Sequence, residues 1–403
     1  MMDRLYKARQ SHQKIPTHQK ISICQKISIC PKIQRYVVAS LFCLCVLSQG
    51  CHKPFAKNET NTHRTISPCN IESSVENNVA HSQNVVSKVA KNSAQSQQNP
   101  PQILASQNDF ASLQDLIKNI ESNFANLRAS IISTQNPNEH LSFADFINTI
   151  SKADILLLGE KHDEKSHHKA QLLIIQALEA RFLSSNDLGQ NPQCAKRVSI
   201  VLEMLGSDSA KHIDEASAHK EKIQKEHLKN ALGWGKWDYK QYRDILEYVF
   251  YSRSFEIVAG NLSREEISTI YKGAQELKGH LSTTKDAKEN ISKIISKSHK
   301  TNDETLLKKL TEVQQYKDRR MADKLFYSPY FAILLAGNYH ITKTFGIPLH
   351  IADFEASNQS LNPQNTLMAK KVISIGMQKE RHLKSKKHRQ KILSHYDYIL
   401  VFR

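Results

Sequence analysis

Residues 155–163 read ILLLGEKHD, and this stretch decides the fold class. Four consecutive large apolar residues are typical of a strand that is buried on both faces of a sheet. The apolar run ends at Gly159, and Glu160 and His162 follow at once. In an open parallel sheet, ligands bind outside the carboxyl ends of the strands. The stretch therefore predicts a strand of an α/β sheet with polar, chemically active side chains at its carboxyl end.

Three further apolar runs have the same form. Residues 199–202 (SIVL) lead to Glu203, residues 255–259 (FEIVA) lead to Asn261, and residues 331–336 (FAILLA) lead to Asn338 and His340. Helical patterns separate the runs, at 167–183, 208–231, 239–251, 263–278 and 304–326. Further strands are predicted at 348–352, 371–376 and 397–402. The alternation predicts an α/β fold, a mostly parallel open sheet with helices on both faces, and the long segments 207–232 and 265–325 predict a small helical cap.

One helix start can be located from the sequence. Ser263 with Glu266 three residues later is a capping-box pattern, in which the two side chains bond reciprocally to backbone N–H groups. Asn261 and Arg264 then lie at a strand-to-helix turn. We expect both at the same edge of the sheet as Glu160.

Length and composition divide the 403 residues into three parts. Apolar residues make up 39% of the chain, below the globular norm, which indicates segments that do not fold. A basic stretch and the apolar run 37–47, too short to cross a bilayer, predict a signal peptide at 1–50. The polar composition of 51–102 predicts a disordered tether. Residues 103–403 are then the folded domain.

Cys51 follows Gly50 directly at the end of the signal, as in the lipobox of bacterial lipoproteins. Ser48 stands where such boxes usually have leucine, and the alternative is an ordinary signal peptide with a chance cysteine. Acylation of Cys51 would hold the protein on a membrane, because two acyl chains are enough for stable anchoring. We therefore expect a lipid-anchored protein of the bacterial cell envelope, at the outer membrane.

The formal charge of +17 raises nucleic acid as a partner. The excess is mostly terminal, since residues 1–35 carry +7 and residues 378–403 carry +6. Zinc-finger, homeodomain and ribonucleoprotein motifs do not occur in the sequence, so we expect no nucleic-acid partner. The basic segment 384–391 predicts a solvated face with weak attraction to anionic lipid or to ligand carboxylates.

Two Gly-x-x-His motifs each follow an apolar strand run, from Gly159 to His162 and from Gly337 to His340. His167 and His168 open the next helix and enlarge the set of histidines. Imidazole and carboxylate groups at one edge, with Glu203 among them, suit a divalent metal that polarises water. A metal-dependent hydrolase using Glu160, His162, Glu203 and His340 is therefore one interpretation. Exposed histidines at two glycine turns are the other.

The aromatic segment 234–242 contains both tryptophans of the chain, including Trp237. Tyr242, Leu246 and Val249 share one face of the helix that follows. Core packing explains such a segment equally well. Its functional interpretation is a flat apolar wall for a planar ligand, with a phenol that can ligate ferric iron, since tyrosine is an axial ligand of haem.

These residues together carry a family resemblance. The sequence resembles the ChaN-like haem-binding lipoproteins, within the wider fold group that includes erythromycin-esterase-like proteins. Two positions depart from the family pattern: Tyr339 stands where glycine is common, and Lys317 where an arginine usually precedes the aspartate. The matching stretches, in order, are 158–163 with His167 and His168, Glu203 with Met204, 234–242, 261–264, Asp318 with Met321 and Ala322, 336–340, and 346–348.

The resemblance implies a membrane-anchored binding protein for haem, active in haem or iron uptake or storage. It also implies a tyrosine and a histidine at the iron, a homodimer that stacks two haems face to face, and an outer-membrane haem or iron receptor as partner. We expect Tyr242 to ligate ferric iron, with Tyr239 and Tyr339 as alternatives. A metal-dependent hydrolase and a purely structural lipoprotein are the competing functions. The residues expected at the haem site are Tyr242, His162, His167, His168, Glu160, Glu203, Trp237, Asn261, Arg264, Asn338 and His340.

Overall fold

The computed structural model describes residues 107–184, 198–361 and 369–403. The predicted signal peptide, Cys51 and the tether lie outside the described residues. Seven strands form one sheet in this part of the chain: β1 (Ala129–Ser133), β2 (Ile155–Glu160), β3 (Val198–Gly206), β4 (Phe255–Asn261), β5 (Ala332–Gly337), β6 (Val372–Lys379) and β7 (Tyr398–Phe402).

The sheet has the strand order β1-β7-β6-β2-β5-β3-β4. All neighbouring strands are parallel except β1, which pairs antiparallel with β7 at one edge. The register places Glu160 beside Gly337, and Leu202 beside Leu335. The carboxyl ends of β2, β5 and β3 are therefore neighbours, as the apolar runs predicted.

Eleven helices are present in the described residues: α1 (Gln107–Ala125), α2 (Phe143–Ile150), α3 (Lys165–Ser184), α4 (Ala210–Ala218), α5 (Leu228–Ala231), α6 (Tyr239–Tyr251), α7 (Arg264–Gly273), α8 (Lys285–His299), α9 (Glu304–Phe326), α10 (Ile347–Leu361) and α11 (Lys386–Leu393).

The helices cover both faces of the sheet, which confirms the predicted fold class. Alternate residues of one strand point to opposite faces, so Leu156 and Leu158 join the core beneath α1, α2, α3 and α6. Ile155 and Leu157 join the core beneath α9, α10 and α11. The connection after β2 leaves toward the first face, and the connection after β5 leaves toward the second. This divergence opens a crevice between β2 and β5, where α/β sheets bind ligands.

An outer helical layer lies on the second face. α9 packs against strands β3, β4 and β5, and α7 and α8 pack against α9. Two small apolar clusters hold this layer, one around Ile291 and Phe345 and one around Ile270 and Val313. The prediction of a helical cap corresponds to α7 and α8, whereas α9 itself covers the sheet.

Two predicted elements were wrong. Residues 348–352 belong to helix α10 and not to a strand. Pro348 is tolerated in the first helical turn, and Ile347 and Ile351 lie one turn apart and share the core of the second face. The helix predicted at 208–231 is interrupted after Ala218 by two 3₁₀ turns. The backbone carbonyl of Ile223, in this interruption, accepts a hydrogen bond from the Tyr251 hydroxyl at 2.7 Å and so is satisfied without a helix.

Helix α1, strand β1 and helix α2 precede the first predicted strand and were not predicted. The short sequence ASIIS of β1 carries a weak strand signal, and its antiparallel pairing with β7 defines it. Among the described helices, none combines the length and the apolar character needed to cross a membrane.

Candidate ligand site at the carboxyl edge of the sheet

Glu160, the last residue of β2, is the centre of a buried polar cluster. The hydroxyl of Tyr242 on α6 donates a hydrogen bond to Glu160 Oε1, and His162 Nδ1 donates to the same oxygen at 2.8 Å. Burial favours the neutral acid, but the hydrogen bond from His162 and the neighbouring His168 lower the pKa of Glu160 to about 2. The carboxylate is therefore ionised and fixes the Tyr242 hydroxyl and the His162 ring.

His168, on the first turn of α3, packs its ring against Tyr242 with the ring centroids 4.5 Å apart. Its Nε2 lies 3.3 Å from Glu160 Oε2. That approach lacks hydrogen-bond geometry, so Glu160 Oε2 and both His168 ring nitrogens are buried without a hydrogen-bond partner in the described chain. Buried polar groups of native proteins are normally satisfied. The cluster thus has unused hydrogen-bonding capacity that a polar or metal-centred ligand can meet.

A second cluster adjoins the first at the ends of β3 and β5. His340 Nε2 lies 3.1 Å from Glu203 Oε1, and His340 Nδ1 bonds to Asp318 of α9. Glu203 Oε2 accepts the Gly337 backbone N–H at 2.8 Å and lies 3.8 Å from His162 Nε2. The two clusters are therefore one continuous network across β2, β5 and β3.

The charges of the network follow from its contacts. Burial disfavours the cation, but the carboxylates of Glu203 and Asp318 raise the pKa of His340 to about 10. Burial also opposes ionisation of Glu203, yet the charge of His340 holds its pKa well below the usual range. At neutral pH this edge of the sheet therefore holds the imidazolium of His340, which lies between Glu203 and Asp318. The carboxylate of Glu160 is a separate negative charge. For His162, the hydrogen bond to Glu160 and the charge of Glu203 outweigh burial and raise the pKa.

Gly337 is required by the close approach of the His162 ring. A Cβ atom at position 337 would lie 2.8 Å from His162 Nε2 and 3.7 Å from Glu203 Oε2. The glycine of the second Gly-x-x-His motif therefore leaves room for the histidine of the first. This packing gives the paired motifs a physical reason.

Aromatic rings line the network on the α6 side. Trp237 packs against His162 with ring centroids 4.5 Å apart, and Trp234 packs against Tyr242 at 5.5 Å. Tyr242 is only 2% exposed, and burial together with the Glu160 charge raises the pKa of its phenol strongly. The His162 side chain is 35% exposed and lies between this phenol and solvent.

The two alternative tyrosines lie elsewhere. Tyr339 is 59% exposed just after β5. Tyr239 begins α6, packs edge-on against Trp234, and has a buried hydroxyl without a hydrogen-bond partner in the described chain. Tyr242 is thus the tyrosine that the structure brings into contact with Glu160, His162 and His168.

Three residues expected at the site hold the backbone around it. His167 Nδ1 accepts the Lys161 N–H at 3.0 Å and fixes the loop after β2, while its ring packs on Phe402. Asn261 Nδ2 donates to the Glu203 carbonyl at 2.9 Å. Asn338 exchanges two hydrogen bonds with the Met377 backbone and joins the ends of β5 and β6.

Arg264 begins α7 and its side chain is exposed. The capping box predicted beside it is present: Ser263 accepts the Glu266 N–H at 3.1 Å, and Glu266 accepts the Ser263 N–H at 2.7 Å. Arg264 therefore lies at a fixed helix start, at the rim of the same sheet edge and outside the buried network.

Two residues of the site were not proposed from the sequence as ligand contacts. Asp318 and Gln314 reach His340 from α9, the latter with its amide nitrogen 2.9 Å from His340 Nδ1. Trp234, part of the aromatic wall that the sequence predicted, covers Tyr242. Asp318 belongs to the stretches that carry the family resemblance, and that is the signal by which it could have been included.

Across 107–184, 198–361 and 369–403, no three His, Cys, Asp or Glu side chains converge in an arrangement that could hold a metal ion. Each imidazole of the network is instead engaged by a carboxylate or an aromatic ring.

The fold and the network define a class: a mostly parallel α/β protein with a buried Tyr-His-Glu cluster at the carboxyl ends of neighbouring strands. A family model described as haem-binding uptake, Tiki superfamily, ChaN matches residues 146–351. The solved structure of ChaN from Campylobacter jejuni, described with cofacial haem binding, has 40% sequence identity, covers 68% of this chain and 97% of its own, and has a TM-score of 0.58. The chain belongs to the ChaN family of haem-binding uptake proteins.

More distant structural likenesses are weak. An erythromycin esterase mutant in its open conformation has 13% identity, covers 62% of this chain and 77% of its own, and has a TM-score of 0.32. A Bacillus cereus protein has 15% identity, with coverage of 66% and 75% respectively and a TM-score of 0.31. Neither bears on function. No curated protein sequence matches the chain.

Proposed function

We propose that this protein is a lipid-anchored carrier or store of ferric haem, with the haem at the carboxyl edge of the sheet and Tyr242 as the iron ligand. The observation that carries the proposal is the contact group of Tyr242, Glu160, His162 and His168, in a chain of a haem-binding family. A phenol and imidazoles are axial ligands that proteins use for haem iron.

The unused polar atoms of the pocket support a ligand at this place. Glu160 Oε2 and the ring nitrogens of His168 are buried and lack hydrogen-bond partners in the described chain. The rings of Trp237 and His162 lie 4.5 Å apart at 56° to each other on the solvent side of the cluster, where one of them can stack on a planar macrocycle.

The charges of the pocket support the ferric state. The ionised carboxylate of Glu160 lies against the Tyr242 hydroxyl, and Glu203 lies next to His162. A ferric porphyrin core carries one positive charge, whereas a ferrous core is neutral, so nearby carboxylates favour the ferric form. A phenolate ligand acts in the same direction. Release on reduction suits a carrier or a store better than an oxygen-activating enzyme.

The test is a hemin titration followed by absorbance spectroscopy. Tyr242→Phe should remove the phenolate-to-iron charge-transfer band and weaken hemin binding. The variant should still fold, since it loses one hydroxyl whose buried bond to the ionised Glu160 contributes about 2 kcal/mol. Thermal unfolding followed by circular dichroism checks the fold.

Tyr239→Phe and Tyr339→Phe are the matched controls and should keep the wild-type spectrum. If one of them loses the band while Tyr242→Phe keeps it, the ligand assignment is wrong and haem binding stands. If all three variants bind hemin as the wild type does, tyrosine ligation is excluded.

Anchoring through Cys51 completes the proposal. The small residue Gly50 before Cys51, after the apolar run 37–47, supports lipid attachment. In a bacterial host, Cys51→Ser should move the protein from the membrane to the soluble fraction or leave it unprocessed, because a chain without acyl groups has no stable anchor. Labelled fatty acid on the wild type and absent from the variant is the measurement. Cys69→Ser, in the same tether, is the control and should keep the label.

The remaining parts of the proposal concern partners. We place the anchored protein at the outer membrane, where a haem or iron receptor would deliver its cargo. The exposed His162 face and Tyr339 suit a homodimer that forms on haem binding, because both lie at the open edge. Sedimentation of the protein with and without hemin tests the dimer.

A further inference from the structure

A basic face lies where the chain leaves β6. The 3₁₀ turn Glu380–Leu383 and helix α11 form it, and its exposed cations are Arg381, Lys384, Lys386, Lys387 and Lys391. Within residues 380–393, all of which the structure describes, Glu380 is the sole carboxylate side chain. Ile392 anchors α11 in the core of the second face, so the cations are held on an ordered helix.

Among the described residues, the four lysines of this face lack internal partners, whereas Arg381 Nε donates a long hydrogen bond to His382 Nε2 at 3.5 Å. In the described chain, the ammonium groups of Lys384, Lys386, Lys387 and Lys391 form neither an ion pair nor a hydrogen bond. Lys379, just before the turn, differs: it pairs with Glu164 at 2.6 Å. Together with burial, the surrounding cations, Arg381 first among them, lower the pKa of His382. The face is a region of uncompensated positive charge.

A cavity of about 320 Å³ opens into this face. Lys384, Arg389, Arg403 and His140 line it together with the carboxylate of Glu380 and the apolar side chains of Ile132 and Val401, so the cations outnumber the one acidic group. Arg389 is oriented by a hydrogen bond to the Pro137 carbonyl at 2.7 Å. A phosphate is the anion that such converging guanidinium and ammonium groups recognise, and the apolar wall fits the glycerol part of a lipid headgroup.

We propose that this basic face binds the headgroups of an anionic phospholipid bilayer, with one headgroup phosphate in the cavity. Charge complementarity supports an extended surface over a single soluble anion, because Arg381, Lys386, Lys387 and Lys391 lie outside the cavity lining and would serve no purpose for one phosphate. Basic residues near an anionic membrane each strengthen binding by about fivefold.

The basic face lies at the same edge of the sheet as the candidate haem site. β2, β6 and β7 are parallel, so the turn after β6 and the carboxyl end of β7 lie at the same sheet edge as Glu160. The ion pair of Lys379 with Glu164 joins the basic segment to the loop that carries His162. A bilayer bound at this face would lie beside the candidate haem site. The inference itself does not depend on haem binding or on lipid attachment at Cys51.

The experiment is co-sedimentation of the protein with vesicles. The chain from residue 51 onward with Cys51→Ser retains every described residue and removes both the apolar run and the acyl chains. We expect this protein to bind vesicles of phosphatidylcholine mixed with phosphatidylglycerol. It should bind vesicles of phosphatidylcholine alone at least tenfold more weakly. Lys384→Glu with Lys386→Glu and Lys387→Glu should reduce binding to the anionic vesicles by about a hundredfold. Glu at the first turn of α11 agrees with the helix dipole, so the triple variant should fold.

The matched control is Lys285→Glu with Lys297→Glu and Lys308→Glu, three exposed lysines on α8 and α9 with the same change in net charge. This control variant should bind the anionic vesicles within about threefold of the wild type. The hemin affinity of the Lys384→Glu, Lys386→Glu, Lys387→Glu variant should stay within about tenfold of the wild-type value, because exposed charges are screened by salt. Equal losses in the two triple variants would show a response to net charge alone and overturn the proposal. Saturation of the cavity by inorganic phosphate without preference for anionic vesicles would assign a soluble anion and also overturn it.

Discussion

The imidazole of His340 lies between two buried carboxylates, and these two differ in role. Glu203 and Asp318 both raise the His340 pKa, each by its charge and by a hydrogen bond, with the charge of Glu203 the largest of these effects, while burial raises the pKa of Asp318 itself. Removal of one member of a buried ion pair leaves an uncompensated charge, which typically costs about 3–5 kcal/mol. Glu203 therefore neutralises the imidazolium, and Asp318 mainly fixes the ring by a hydrogen bond.

The two carboxamide variants should separate these roles. We expect Glu203→Gln to lower the free energy of unfolding by about 3 kcal/mol or more. Asp318→Asn keeps an oxygen acceptor for His340 Nδ1 and should cost only about 1 kcal/mol. Urea unfolding measures both, and NMR titration of His340 should show the larger fall of its pKa in Glu203→Gln. The exposed Asp115→Asn should change nothing, and an equal cost for the two buried substitutions would contradict the assignment.

At the level of strands, the end of β5 determines how the two Gly-x-x-His motifs fit together. Gly337→Ala places a methyl group 2.8 Å from His162 Nε2. Because His162 is partly exposed, its ring can move away, so the free energy of unfolding should fall by only about 1–2 kcal/mol. Hemin affinity should fall more sharply, by about tenfold or more, since the contact of His162 with Glu160 is lost. Hemin titration and urea unfolding of one sample give both values.

Gly235→Ala is the matched control, because a Cβ atom there would meet nothing within 4 Å. It should leave both the stability and the hemin affinity unchanged. Should Gly337→Ala bind hemin as tightly as Gly235→Ala does, the position of the His162 ring is unimportant for binding.

The same strand ends show what the sequence could predict. β2, β3, β4 and β5 are continuous apolar runs, and parallel pairing necessarily gathers the residues that follow them, Glu160, Glu203, Asn261 and His340 among them. Asp318 reaches the site from helix α9 and Trp234 from the loop before α6, and how these segments dock depends on packing that no local pattern reports. Helix α10 was mistaken for a strand because its short apolar stretch fits either period, and only Ile351 one turn after Ile347 favours the helix.

Across the whole molecule, two buried histidines and the half-buried His395 couple stability to pH. Burial lowers the pKa of His167 to about 4 and of His395 to about 4, and burial with the nearby Arg319 lowers that of His350 to about 3. In the unfolded chain these groups take up a proton near pH 6.5. They contribute stability above that pH, and the contribution is lost as the pH falls toward their folded values. His162 and His340, with raised pKa values, are protonated in both states below pH 6.5 and add no slope there.

The free energy of unfolding should therefore fall between pH 6.5 and about 5, before carboxylates begin to titrate, by up to about 1.4 kcal/mol per pH unit for each of the three histidines. His350→Asn tests one of them. The asparagine oxygen can replace His350 Nδ1 as the acceptor of the Arg319 Nε–H, a bond of 2.9 Å, but takes up no proton. Urea unfolding at several pH values should give a slope that is smaller by about 1.4 kcal/mol per pH unit in this variant. The control is His388→Asn, at an exposed position on α11, which should keep the wild-type slope. An unchanged slope in His350→Asn would contradict the prediction, because it would show that His350 takes up its proton as readily in the folded state as in the unfolded one.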